Sequence, residues 1–228
     1  MRILLFVFFF FLFSSVSRAG NIYLQIKSNS YSLPVVSMQE KRWHKIARQQ
    51  YDYSCGSAVI ASLLTYHYEM PTTEIESFTA MYNAGNQEKI RSQGFSMLDM
   101  KAYLDSLGLN ASGFRISLDE LNQVGVPGIT MISINGYRHF VLIKGIEKDR
   151  ILIGDPASGI KIYKRSRFEK MWNGIILAVR KKGKVGRRYF NLADEWNVQL
   201  KAPTESLFVP GTRTNRLYLL PGMGEFAR

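Results

Sequence analysis

The chain holds one cysteine in 228 residues, Cys55, within "QQYDYSCGSAV", Gln49 to Val59. It opens an apolar run, "CGSAVIASLLTYHY". The first turn of a helix exposes backbone N–H groups whose partial positive charge favours a thiolate over a thiol. Gly56 leaves room for another backbone to approach. An inert thiol belongs in a helix interior on the core face. This one stands at the helix mouth, where a nucleophile would stand.

A cysteine nucleophile needs a base within hydrogen-bond reach. Of the three histidines, His44 lies in the basic stretch "KRWHK". His67 ends the same apolar run 12 residues on, about 18 Å from Cys55 along a helix, too far to be a partner. His139 begins the β-rich run "HFVLIKGI". The stretch "HFVLIKGIEKDRILIGDP" reads as a hairpin with a three-residue loop at Glu147–Asp149. Ile146 would then pair with Arg150, and His139 would lie opposite Ala157. That leaves Asp155 diagonal to His139 on one face, where side chains reach across about 7–8 Å of backbone separation. One hairpin can thus present an imidazole and the carboxylate that orients it.

Attack on a carbonyl also needs donors for the oxyanion. The amide of Gln49, six residues before Cys55, or of its neighbour Gln50, could serve with the Cys55 N–H. The scattered histidines and lone cysteine have no zinc-ligand spacing, so no metal is implied.

These residues need a scaffold. Gly20–Val36 reads as extended and Met38–Arg48 as a short helix. The run from Cys55 to Tyr68 is apolar nearly all round, as in a buried helix. Thr72 or Thr73 with Glu76, and Ser96 with Asp99, mark two more helix starts, and Gly108 marks a stop. The second half changes period. "GITMISI", "RHFVLIKGI", "RILIGD", "GIKIY" and "NGIILAVR" are short β runs, with helical inserts at Leu118–Val124 and Ser166–Trp172. Helices first and an antiparallel sheet second indicate an α+β fold.

At 46% hydrophobic the chain has material for one sizeable core. Arg2, the apolar run Ile3–Phe13 and Ser17-Arg18-Ala19 have the form of an export signal cleaved after Ala19. The apolar run is shorter than the roughly 20 residues of a spanning helix. Export places the protein in an oxidising compartment, the periplasm, where an unpaired cysteine stands out. The net charge is +12, and from Arg180 to Arg228 there are 10 Lys or Arg against 4 Asp or Glu. "RKKGKVGRR" carries six of them. This basic tail suits a membrane surface or an acidic partner, and no nucleic-acid module is present. The layout is a signal at 1–19, an extended segment at 20–37, a domain at 38–180 and a loosely structured basic extension at 181–228, with "RLYLLP" a candidate edge strand.

Gln49, Cys55-Gly56, His139-Phe140 and Asp155-Pro156 together resemble the peptidase C39 family, papain-like cysteine peptidases that trim leader peptides from bacteriocins. The family's glutamine spacing selects Gln49 over Gln50. The resemblance covers about 38–180 and implies a papain-like fold, N-terminal helices packed on a C-terminal antiparallel sheet. It also implies a Cys55–His139–Asp155 triad with Gln49 as oxyanion donor, no cofactor, and a narrow cleft for small residues before the cut. Two features depart from the commoner pattern: Ser54 stands where an acidic residue often precedes the cysteine, and an export signal replaces an attached ABC exporter. "YDYSCG" and "GFSMLDMKAYL" are closer to a free-standing exported branch that includes a peptidase of functional-amyloid secretion. The expected partner is a peptide or protein substrate, an amyloid or secretion-system component. The rival readings are a catalytically silent C39-like peptide-binding module, a papain-fold acyl transferase or transglutaminase-like enzyme, and a secretion-scaffold role carried by the basic tail.

Overall fold

Four helices begin with one device. Ser37, Thr73, Ser96 and Ser117 each accept the backbone N–H three residues on, while Glu40, Glu76, Asp99 and Glu120 reach back to the cap residue's own N–H. Each such box satisfies N–H groups that a helix start leaves open, typically stabilising by about 1 kcal/mol. The computed structural model describes residues 21–26, 29–34 and 37–198. The expected export signal and the tail beyond Val198, "RLYLLP" included, lie outside them.

A two-stranded antiparallel pair, β1 (Asn21–Ile26) and β2 (Asn29–Pro34), comes first. Helices α1 (Met38–Arg42), α2 (Cys55–His67), α3 (Glu74–Ala84), α4 (Gln87–Gln93) and α5 (Met97–Ser106) follow. The remainder runs β3 (Ala111–Arg115), α6 (Leu118–Val124), β4 (Gly128–Ile134), β5 (Tyr137–Glu147), β6 (Arg150–Asp155), β7 (Gly159–Lys164), α7 (Arg165–Met171), β8 (Trp172–Val179), α8 (Gly183–Arg188) and a 3₁₀ helix, Ala193–Val198. The expected α+β class is the one observed. The second sheet has six strands in the order β3-β8-β4-β5-β6-β7, all neighbours antiparallel.

Both faces of that sheet are covered. On one, Leu63 and Leu64 of α2 and Met100 and Leu104 of α5 share a buried core with Phe140, Leu142 and Leu177. On the other, Leu118, Leu121 and Phe168 pack with Val141, Ile143, Ile151 and Ile153. The central strands β4, β5 and β6 therefore alternate between two apolar environments, which explains why their sequences read as nearly continuous apolar runs. Asn135 and Gly136, both with positive φ (49° and 84°), close the two-residue turn between β4 and β5.

The hairpin of β5 and β6 differs from expectation in detail. Glu147 pairs with Arg150, so its turn has two residues rather than three. A β-bulge at Lys144 then inserts one residue, and Leu142 pairs with Gly154. The two differences cancel, and the register at the His139 end is the one the sequence predicts.

The basic segment after Arg180 also differs. It does not trail away but continues the body to Val198. Gly186 lies so close to Tyr68 that an added Cβ would come within 2.7 Å of its hydroxyl. Phe190 and Trp196 are buried, and the Glu195 carboxylate, 1% exposed, meets the fully buried ammonium of Lys144 at 2.9 Å. Burial pushes the Lys144 pKa down and that of Glu195 up, and each opposes the other's shift. A chain ending at Arg180 leaves Lys144 as an unpaired buried charge, a loss of about 3–5 kcal/mol before the missing apolar contacts are counted. Against a typical 5–15 kcal/mol, thermal unfolding should show that truncation to have lost its cooperative transition, while a chain ending at Val198 keeps it.

Candidate active site

Cys55 is the first residue of α2 and is half-buried. Ser54 occupies the cap position, yet its side chain does not cap the helix. The hydroxyl turns back into the preceding loop, donating to the Tyr51 carbonyl at 3.0 Å and accepting the Tyr51 N–H at 3.1 Å. The first-turn N–H groups of α2, that of Cys55 included, thus lack the side-chain cap that Ser37, Thr73, Ser96 and Ser117 supply elsewhere. Open N–H groups are what an oxyanion needs.

His139 sits near the start of β5, 4% exposed. Its Nε2 donates to Asp155 Oδ1 at 2.8 Å. The turn after β6 holds Asp155 in place: Oδ1 also accepts the Ala157 N–H at 2.9 Å, and Oδ2 accepts the Ser158 hydroxyl at 2.5 Å and the Lys161 ammonium at 3.1 Å. The Tyr137 ring stacks on the imidazole at 6.0 Å, 26° from parallel, and fixes its plane. Nδ1 is buried without a hydrogen bond of full geometry, although Cys55 is near enough to act on the ring as a hydrogen-bonding partner and as a charge. A loose contact between nucleophile and base is usual in a site without substrate.

Burial works against a charged imidazole, but the hydrogen bonds and charges of Asp155 and Cys55 outweigh it and raise His139 to about 9. Burial alone would push Asp155 up; the bonds from His139, Ser158 and Ala157 instead hold it well below the usual carboxylate range.

Gln49 reaches the same place by another route. Its N–H donates to the carbonyl of Pro156 at 3.0 Å, which ties the loop before Cys55 to the turn after Asp155. Its side-chain amide donates to the Tyr51 carbonyl at 3.1 Å, and its Oε1 is buried and unpaired. The other two histidines lie elsewhere. His44 is exposed, 3.9 Å from Asp194. His67 is buried and donates from Nδ1 to the Tyr189 carbonyl, with its pKa lowered first by burial and then by Lys144. Residues that the sequence reading missed are Ser54, Tyr137 and Lys161. The distinguishing signal for Ser54 was only that no acidic residue follows at the capping-box position.

A groove of about 580 Å³ opens beside Cys55. Tyr53, Phe95, Leu98, Met131 and Phe140 give it apolar walls, and Asp52, Asp99, Lys89 and Arg138 add charges of both signs. Such a trough suits an extended peptide with apolar side chains. Among the described residues no cluster of three or more His, Cys, Asp or Glu side chains could hold a metal.

The peptidase C39 family model matches residues 43–184. The chain belongs to the peptidase C39 family. Two relatives bear the name "Probable functional amyloid protease FapD". The one from Pseudomonas aeruginosa is 36% identical over 205 residues, 90% of this chain and 80% of its own. The one from Pseudomonas fluorescens is 41% identical over 170 residues, 75% of this chain and 71% of its own. The crystal structure of the peptidase domain of Streptococcus ComA, a bifunctional ABC transporter involved in quorum sensing, superposes with a TM-score of 0.51. It has 19% identity and covers 61% of this chain and 99% of that domain. The papain-like C39 fold is thus shared across a wide sequence distance. The family match ends at 184, whereas the body of this C39 chain continues to Val198.

Proposed function

We propose that this C39 chain is an exported, periplasmic cysteine endopeptidase that processes a leader or precursor of another exported protein. The names of its Pseudomonas relatives make a functional-amyloid component the first substrate to test. One observation carries the reading: a half-buried sulfur lies at a groove, and acting with it is an imidazole whose Nδ1 is unpaired and whose other ring nitrogen is bound to a carboxylate.

Cys55 attacks the scissile carbonyl and forms a thioester. The carbonyl oxygen becomes an oxyanion held by the Cys55 N–H and the Gln49 amide. His139 takes the thiol proton on Nδ1 and returns it to the departing amine. Asp155 holds the tautomer with the proton on Nε2 and stabilises the imidazolium. Water then hydrolyses the thioester, with His139 as base. For Gln49→Ala, kcat should fall on the order of 10²–10³-fold with KM little changed; steady-state kinetics checks this. The exposed cations Arg180, Lys181 and Lys182, just before α8, and Lys184 within it supply positive charge suited to anionic lipid at the membrane surface.

The test is mass spectrometry of exported proteins from host cells carrying the wild type or Cys55→Ala. A precursor that persists uncut in the variant names the substrate. An identical set of exported proteins overturns the peptidase reading in favour of a peptide-binding module.

A further inference from the structure

The register of β5 against β6 decides whether His139 and Asp155 can meet. Near the turn, Glu147 pairs with Arg150 and Gly145 with Leu152. Continued unchanged, that register would set Asp155 opposite Leu142, on the face away from His139. The extra residue at Lys144 prevents this. Pairing resumes at Ile143 with Ile153 and Leu142 with Gly154. Asp155 then falls opposite Val141, diagonal to His139 on its own face. Core membership records the same change of parity: Ile143 and Ile146, an odd number of positions apart, both pack with Ile151 and Ile153.

A bulge leaves ladder groups without partners, and buried groups must find others. Here Asn191 supplies them. Its N–H donates to the Lys144 carbonyl at 2.9 Å, its Oδ1 accepts the Ile146 N–H at 2.7 Å, and its Nδ2 donates to the Ile146 carbonyl at 3.1 Å. The fit is close: a Cβ at Gly145 would come within 2.2 Å of Asn191 Oδ1. Asn191 has φ of 59°, a conformation asparagine tolerates better than most residues. The bulged side chain is fixed as well. Lys144 Nζ donates to the Lys45 carbonyl at 2.8 Å and meets Glu195 at 2.9 Å. Lys45 lies on the segment leading to Gln49. Asn191 and Glu195 both stand beyond residue 184, where the family match ends.

We propose that Asn191 and Glu195 are positioning residues that clamp the bulge at Lys144 and so keep Asp155 in register with His139. The effect on catalysis rests on the peptidase reading; the effect on the His139 ring does not.

The variants are Asn191→Gly, which removes the amide while permitting positive φ, and Glu195→Gln, which keeps size but removes the charge. Thr73→Ala, a lost cap on the exposed start of α3, which packs on α2 and α5, controls for general destabilisation. NMR titration of His139, which Asp155, Cys55 and Tyr137 surround, should give a midpoint near 9 in the wild type. In folded Asn191→Gly and Glu195→Gln it should move toward the ordinary 6.5 or so, and Thr73→Ala should leave it in place. With the natural substrate kcat should fall on the order of 10²-fold, as for a misplacement of about 1 Å, and KM should stay within about twofold. Adding Asn191→Gly to Asp155→Asn should cost little more, because both act through one contact. An unmoved His139 midpoint in either folded variant overturns the clamp. A midpoint that moves in a protein without peptidase activity upholds the clamp and sinks the peptidase reading instead.

Discussion

Cys55→Ala and His139→Ala should each lower kcat on the natural precursor by about 10⁴-fold or more, and the double variant should be no worse than either alone. The reason is that the two groups act as one device. Without the sulfur there is no acyl-enzyme for the imidazole to assist. Without the imidazole, neither thiol deprotonation nor protonation of the leaving amine has a partner, since Nδ1 of His139 is the buried ring nitrogen left unpaired beside Cys55. Precursor binding should survive in all three, because the walls of the groove come from Tyr53, Phe95, Leu98, Met131 and Phe140. Single-turnover cleavage together with a binding isotherm separates the outcomes. Additive losses in the double variant would show that Cys55 and His139 do not share a step.

Asp155→Asn should lower kcat/KM by about 10²–10⁴-fold, the range of a mispositioned acid–base group. An asparagine can place its NH₂ where Oδ1 now accepts from Nε2 and so favour the wrong tautomer. The pH dependence has a definite sign. His139 is raised in the folded state to about 9, so its contribution to stability is complete below the unfolded value of about 6.5 and is lost as pH rises through about 9. Asp155 is depressed, so its contribution is present above about 4 and is lost as pH falls through its lowered folded value. Both contributions are whole between roughly pH 4 and 6.5. Denaturant melts should show the stability gap between wild type and Asp155→Asn widest in that window and narrowing toward pH 9. The alkaline limb of kcat/KM should likewise move to lower pH in the variant, because the imidazolium that protonates the leaving amine is lost sooner.

Local signals carried much of the fold. The Ser-x-x-Glu, Thr-x-x-Glu and Ser-x-x-Asp boxes act over four residues, and α3, α5 and α6 begin where those boxes stand. The strands β4, β5 and β6 lie between apolar layers, so each is a compact run rich in branched residues that the sequence shows directly. What stayed hidden depends on distant partners. β3 is an edge strand with three of five residues exposed and a glycine at its centre, so its pattern is as polar as a loop. α4 buries only Ile90 and shows no periodicity. The bulge at Lys144 needs Asn191 and Glu195, about fifty residues on, and a lysine inside "HFVLIKGI" announces nothing by itself. The segment after Arg180 is dense in charge, and that charge masked the few residues, Gly186, Phe190, Glu195 and Trp196, that fasten it to the core. Three of the four candidate site residues stand out because each is chemically rare in its setting: one thiol, one histidine on a β run and one Asp-Pro after the matching strand; Gln49 is separated from its neighbour Gln50 only by the spacing of the family it resembles.

The central claim is that the His139 ring is held between Asp155 and Cys55. NMR titration of that ring in the purified protein tests it without any substrate. The arrangement predicts a midpoint near 9 in the wild type, lowered by Asp155→Asn and, separately, by Cys55→Ala. A wild-type midpoint close to 6.5, the value of an unperturbed imidazole, unchanged in both variants, would contradict it.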